Sequence, residues 1–242
     1  MLAGALSTTD RYWVGDSLWA DEFNKKGYFE DTRVHDINEA VLGTCMPSPL
    51  VTLGKGAEPT HQAPDDERWL GLLEPWRSPL VQQNHEKMIA DYLGQCPNGK
   101  PFVLKDPRFS YSLSAWMPQL TNTTYICMFR DPLSTANSIV KMCSNFAHFQ
   151  PMNVDMAYAL ALWECMNRRI IDNLSRNGDW LFVHAHQILN SHDRQRIEKR
   201  IGGSLNHRFL DIDMMGQASN TSLPSNIKKL YLELCQLAEY CP

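Results

Sequence analysis

The chain has 242 residues, enough to enclose the core of one α/β domain. A hydrophobic content of 43% with a formal net charge of −4 predicts a soluble globular protein and offers no basic excess for a nucleic-acid partner. No apolar run approaches the length of a membrane span.

Met1-Leu-Ala-Gly-Ala-Leu lacks the basic flank and apolar length of a secretory signal. The seven cysteines are scattered singly, without a CxxC pair. Their odd number fits reduced thiols, so a cytoplasmic setting is expected, with neither a zinc nor a redox motif. Leu2 to Leu6 reads as the first turns of a helix, and Tyr12 to Val14 is short and apolar. Thr32 to Leu42 places Val34, Ile37, Ala40 and Val41 on one side of an amphipathic helix. Residues 46–67 are rich in Pro, Gly and charge without a sustained period, which predicts a loop or lid over a site. Val81 to Leu93 is helical in pattern, and Pro101 to Leu104 is a short buried-type strand. Ser110 to Leu120 is a helix crossing back to a strand at Tyr125 to Phe129. Met156 to Leu174 is a further helix, Trp180 to Val183 a further strand. His192 to Ile201 and Ile227 to Tyr240 are closing helices. Strands alternating with helices imply one α/β domain over 1–242 with a parallel sheet.

Three segments carry the chemistry. In Tyr125-Ile-Cys-Met-Phe-Arg130-Asp-Pro, an apolar run stops at an arginine, Asp131 falls where an N-cap belongs and Pro132 fits the first helical position. Arg130 thus stands at a strand's carboxyl end beside a helix N-terminus, where open α/β sheets bind phosphorylated ligands. Ser138, two helical turns on, adds a hydroxyl. An ordinary strand-to-helix turn with a surface salt bridge explains the same spacing. In Phe102-Val-Leu-Lys105-Asp106-Pro107-Arg108, a short strand again ends in a cation, and a surface Lys and Arg pair around a proline turn is the plainer reading. In Gly27-Tyr28-Phe29-Glu30-Asp31-Thr32, a glycine turn leads to two carboxylates at a helix start. The helix dipole alone favours acids there, and a carboxylate aimed into a cleft as general base is the sharper alternative.

Taken together, Gly27–Asp31, Lys105–Arg108 and Arg130–Ser138 resemble, in order and spacing, the single-domain sulfotransferase family that uses 3′-phosphoadenosine 5′-phosphosulfate (PAPS). Leu162-Trp163 to Asn167 and Leu230-Tyr231 to Leu234 also look like family helices, so the resemblance covers nearly the whole chain. It implies a P-loop-like three-layer α/β fold, with a central parallel sheet flanked by helices. It implies PAPS as donor, no metal, and a small-molecule, glycan or lipid acceptor with a hydroxyl or amine. Arg130 and Ser138 would hold the donor's 3′-phosphate. Glu30 or Asp31 would take the acceptor's proton, and Lys105 would bind the donor and stabilise the bridging oxygen as adenosine bisphosphate leaves. The family opens with a strand and an Arg-Ser-Gly-Thr-type loop, whereas Met1 to Leu6 matches the helix that follows. The resemblance therefore implies a domain incomplete at its N-terminus. The family's Gly-x-x-Gly-x-x-Lys element has only Gly202-Gly203-Ser204 in its region, without the lysine.

His35 is a third candidate base, although a lone histidine on an amphipathic helix is more often structural. Trp69 and Trp76 flank the long loop and are candidate acceptor contacts, while Trp116 and Trp163 read as core. His184 and His186 alternate after a strand without a third metal ligand at a recognisable spacing. Arg194, Arg196, Lys199 and Arg200 read as a solvated basic face. Two rival functions stay open, the second because the phosphosulfate loop is missing from the sequence. A P-loop kinase-like nucleotide-binding protein needs a Gly-x-x-x-x-Gly-Lys-Ser/Thr loop, and a non-catalytic remnant of the sulfotransferase fold would act as a binding protein.

Overall fold

The computed structural model describes residues 2–7, 9, 11–15, 26–46, 50–52, 61–63, 66–73, 77–97, 99–147, 149, 152–210 and 222–242. The architecture is mixed α/β, with helices around a small parallel sheet. Strand β3 (Thr124–Phe129) pairs in parallel with β4 (Asp179–His184), placing Thr124 opposite Asp179 and Phe129 opposite His184. Parallel strands need a long crossover, which α5 (Pro132–Asn145) and α6 (Met156–Arg169) supply.

Side chains alternate along β3, so its two faces enter different cores. Cys127 and Phe129 join Phe182 in a cluster with Ala136 and Ile139 of α5, Leu162 and Trp163 of α6, and Leu230 and Leu234 of α8 (Ser225–Leu237). Ile126 and Met128 pack with Val183, with Leu2 and Leu6 of α1 (Leu2–Ser7), and with Ile197 of α7 (Ser191–Ile201). Helices therefore cover both faces of the strand pair. A third cluster joins α2 (Thr32–Leu42), α3 (Gln83–Leu93) and α4 (Phe109–Trp116) through Val34, Ile37, Ile89, Tyr92 and Trp116, and reaches Tyr125 of β3. Fully burying a side chain such as Leu162 or Ile89 contributes roughly 1.5–3 kcal/mol. These clusters hold the strand ends in place.

Several elements differ from the sequence reading. The expected strand at Pro101 to Leu104 is a single parallel bridge between Trp13 and Phe102. The Trp13 N–H donates to the Pro101 carbonyl, and the Val103 N–H donates to the Trp13 carbonyl, each at 2.9 Å. Pro101 has no N–H to give, and Asp106-Pro107 turns the chain away soon after. Helix α4 stops at Trp116 because Pro118 follows, and a 3-10 turn spans Met117–Gln119. The helix read to Leu174 changes to a wider π turn at Ile170–Leu174. Within residues 46–67, β1 (Leu50–Thr52) and β2 (His61–Ala63) form an antiparallel ribbon. Three-residue strands between Gly and Pro leave too short a period to read. Among the described residues, no helix is long and apolar enough to cross a membrane.

Candidate anion and acid–base site

At the carboxyl end of β3, Asp131 caps α5: its side chain accepts the Ser134 N–H at 2.8 Å, and Pro132 takes the first turn. This fixes the backbone just after Arg130. The Arg130 side chain then folds back along the helix. Its Nη2 donates to Ser138 Oγ at 2.7 Å and its Nε to Thr135 Oγ1 at 3.3 Å. The two hydroxyls share a helix face because they are three residues apart. Burial lowers the pKa of the guanidinium, and neighbouring Asp131 works against that shift. Among the described residues its side-chain hydrogen bonds go to hydroxyls alone, which an oxyanion can replace or join. Thr135 was missed in the sequence. The signal was there, as a hydroxyl at the i+5 position on the face that carries Ser138.

The second pair is long-range. Lys105 and Glu30 form an ion pair across 75 residues of sequence. The Lys105 side chain is 43% exposed and that of Glu30 9%. Glu30 follows a turn in which Gly27 and Phe29 both take positive φ, +94° and +57°. A phenylalanine in that region is strained, a feature that gathers at functional sites. Asp31 has a different task. It is the N-cap of α2, accepting the Arg33 N–H at 2.8 Å, and its other oxygen accepts the Tyr92 hydroxyl at 3.2 Å. Gly15 lies directly on that carboxylate: a Cβ there would stand 1.7 Å from Asp31 Oδ2. Asp31 is thereby committed to holding α2, α3 and the Gly15 segment together, while Glu30 meets the partly exposed ammonium of Lys105.

Arg108 is not the surface residue that a proline turn suggests. It is 1% exposed and pairs with Glu39 of α2, with Asp106 at 3.1 Å and with Glu67 at 3.2 Å, and it donates to the Asp66 carbonyl. Glu39 also holds Arg68 at 2.7 Å, and Arg68 donates to the Met46 carbonyl at 2.9 Å. A buried ion network thus anchors residues 66–68 beneath α2. Within it, burial raises the pKa of Glu67, and Arg108 opposes the rise.

His35 is occupied by Asp36 and the Asp66 carbonyl, both at 3.1 Å. Trp69 packs against the main core and donates to Glu67, and Trp116 and Trp163 are buried; Trp76 lies outside the described residues. The basic helix face is partly structural, since Arg196 pairs with Glu239 and Arg200 with Asp179.

His184 ends β4 beside Phe129 and stacks on Tyr240 with ring centroids 3.9 Å apart. Its Nδ1 accepts the His186 N–H at 3.2 Å, so the neutral ring carries its proton on Nε2 and donates to the Tyr231 oxygen at 3.2 Å. Burial depresses its pKa to about 4, His186 adding to the shift and Asp131 opposing it.

The structure brings Arg130 to Ser138 and Lys105 to Glu30. Among the described residues, no hydrogen bond or ion pair joins one pair to the other. Their supports do meet: Val103, two residues before Lys105, packs in the same cluster as Ile126 and Met128 of β3. No protein-family model, curated protein or solved structure matches the chain.

Proposed function

We propose that this protein is a sulfotransferase, moving a sulfuryl group from PAPS to the hydroxyl or amine of a small-molecule, glycan or lipid acceptor. The observation that carries the reading is the Arg130 guanidinium, half-buried at a strand end and hydrogen-bonded to Ser138 at 2.7 Å. In this reading the two-stranded parallel sheet and its flanking helices belong to a P-loop-like three-layer fold. The 3′-phosphate displaces the intramolecular contact and takes two parallel hydrogen bonds from Arg130 and one from Ser138. Lys105 leaves Glu30 for the bridging oxygen of the phosphosulfate. Glu30, freed of its partner, accepts the acceptor's proton as the oxygen or nitrogen attacks sulfur. The S–O bond to the phosphate breaks, and adenosine 3′,5′-bisphosphate leaves with charge stabilised by Lys105. Asp31 takes no part beyond capping α2.

Calorimetry tests the donor site directly. Arg130→Ala should weaken binding of adenosine 3′,5′-bisphosphate by ~10–100-fold, the value of one charged, bidentate contact, and leave the weaker adenosine 5′-phosphate little changed. Equal losses for both nucleotides would remove Arg130 from the 3′-phosphate. Absence of bisphosphate binding by the parent protein would refute the donor.

A further inference from the structure

Two ion pairs join the same two segments of the chain. Glu30, just before the α2 cap, meets Lys105, while Glu39, inside α2, meets Arg108 three residues along the same turn. One helix and one turn are thus pinned at two points. The pins differ in character. The Lys105 side chain is 43% exposed, so the cation of this pair reaches water although Glu30 is buried, and a lysine so placed is by itself weakly held. Arg108 and Glu39 are 2% and 7% exposed at their side chains. Asp106 lies between the pins. Its Oδ1 accepts both the backbone N–H of Arg108 at 2.7 Å and the Nη1 at 3.1 Å. Its buried Oδ2 has no hydrogen-bond partner among the described residues. Among these contacts, the Lys-Asp-Pro-Arg turn takes its shape from Arg108, and Arg108 takes its place from Glu39.

We propose that Arg108 and Glu39 are positioning residues that set Lys105 against Glu30 through the turn and the helix. The role in transfer rests on the sulfotransferase reading; the placement of the ammonium does not. The buried pair keeps the register, so Lys105 can exchange Glu30 for an incoming anion while the turn beneath it stays fixed. Arg68 and Glu67, held in the same network, extend that register to residues 66–68.

Competitive acetylation of lysine amines on the full chain, read by mass spectrometry, tests the placement. Lys105 is compared with Lys87, an exposed lysine of α3. Glu30→Gln sets the rate of a released Lys105. Glu39→Gln keeps the side chain's shape and removes its charge. It should raise the Lys105-to-Lys87 labelling ratio by about fivefold, most of the way to the Glu30→Gln value. Arg108→Lys, which keeps a cation but loses the fork that grips Asp106 and Glu39 together, should release Lys105 in the same way and serves if Glu39→Gln does not fold. A residue with a purely structural part would lower the melting temperature and leave the ratio at its parental value well below the melt; that result overturns the proposal. A parental ratio in Glu30→Gln would overturn it too, since Lys105 would not be held by Glu30 in solution. Failure of the parent to bind bisphosphate would strike the sulfotransferase reading and leave the labelling ratios standing.

Discussion

Arg108 and Arg130 each adjoin an Asp-Pro pair, one after it and one before it, in Asp-Pro-Arg and Arg-Asp-Pro, each beside the start of a helix. The fold gives them opposite surroundings. Arg108 is enclosed by Glu39, Asp106 and Glu67, and these carboxylates raise its pKa against the opposing effect of burial. Arg130 meets Thr135 and Ser138, and burial lowers its pKa. A guanidinium saturated with carboxylates has no capacity left for a ligand. One held by hydroxyls keeps its charge in reserve, because a hydroxyl can turn from the arginine to an arriving oxyanion without leaving a buried charge uncompensated.

The sharpest way to break this comparison is to remove each charge at constant bulk and measure urea unfolding. Arg108→Met strands buried carboxylates and should lower stability by ~3–5 kcal/mol. Arg130→Met loses two hydrogen bonds to hydroxyls that can turn to solvent, and should cost ~1–2 kcal/mol. Similar costs at the two positions would mean that Arg130 is structural as well. A small loss at Arg108 would mean that its network is solvated in solution.

Acid probes the ground behind Arg130. His184 is buried neutral, with its pKa depressed from 6.5 to about 4. Between those values the unfolded chain binds the extra proton and the native state does not. Stability should therefore rise with pH through that window, and fall by ~3 kcal/mol as pH drops from 6.5 to about 4. Glu67 acts in the opposite sense. Its raised pKa contributes stability that is present below the ordinary carboxylate value and lost as pH rises through the folded one. Urea midpoints at pH 7 and pH 4.5 check the sign. His184→Phe, which keeps a ring against Tyr240, should flatten the dependence. An unchanged slope would assign the acid sensitivity to other groups.

The local half of this chemistry was legible in the sequence, and the long-range half was not. Asp131, Pro132 and Ser138 fall within eight residues of Arg130, so strand end, cap and helix pitch alone bring them together. The pairing of Lys105 with Glu30 and the burial of Arg108 against Glu39 depend on how α2 lies over the Lys-Asp-Pro-Arg turn. Periodicity carries no record of that contact. The same limit explains the helix ends. Thr32–Leu42 was read to its bounds because its cap agrees with the burial of Val34, Ile37 and Val41, although Ala40, read on the same side, is exposed. The change at Met117 arises from Pro118 inside an apolar helix, whereas periodicity does not mark the π turn at Ile170–Leu174. The ribbon at Leu50–Thr52 and His61–Ala63 was too short to show alternation.

The smallest expected effect separates the adjacent acids. Glu30 and Asp31 share a turn, but Asp31 accepts the Arg33 N–H and the Tyr92 hydroxyl and lies against Gly15, whereas Glu30 has Lys105. Asp31→Ala removes a helix cap and should cost ~1–2 kcal/mol. Tyr92→Phe removes one hydrogen bond to the same carboxylate and should cost ~1 kcal/mol or less. Because both changes act on one carboxylate, the double variant should cost less than the sum of the single ones. Glu30→Gln should shift the melt least of the set, by ~0–1 kcal/mol, since the Lys105 ammonium it releases is partly exposed and can turn to solvent. Its effect belongs in turnover, where loss of a general base typically costs ~10²–10⁴ in rate. The measurement is a thermal melt beside single-turnover transfer from labelled PAPS. If Asp31→Ala melts as the parent does and Glu30→Gln is the unstable one, the two acids have exchanged roles and Asp31 becomes the base.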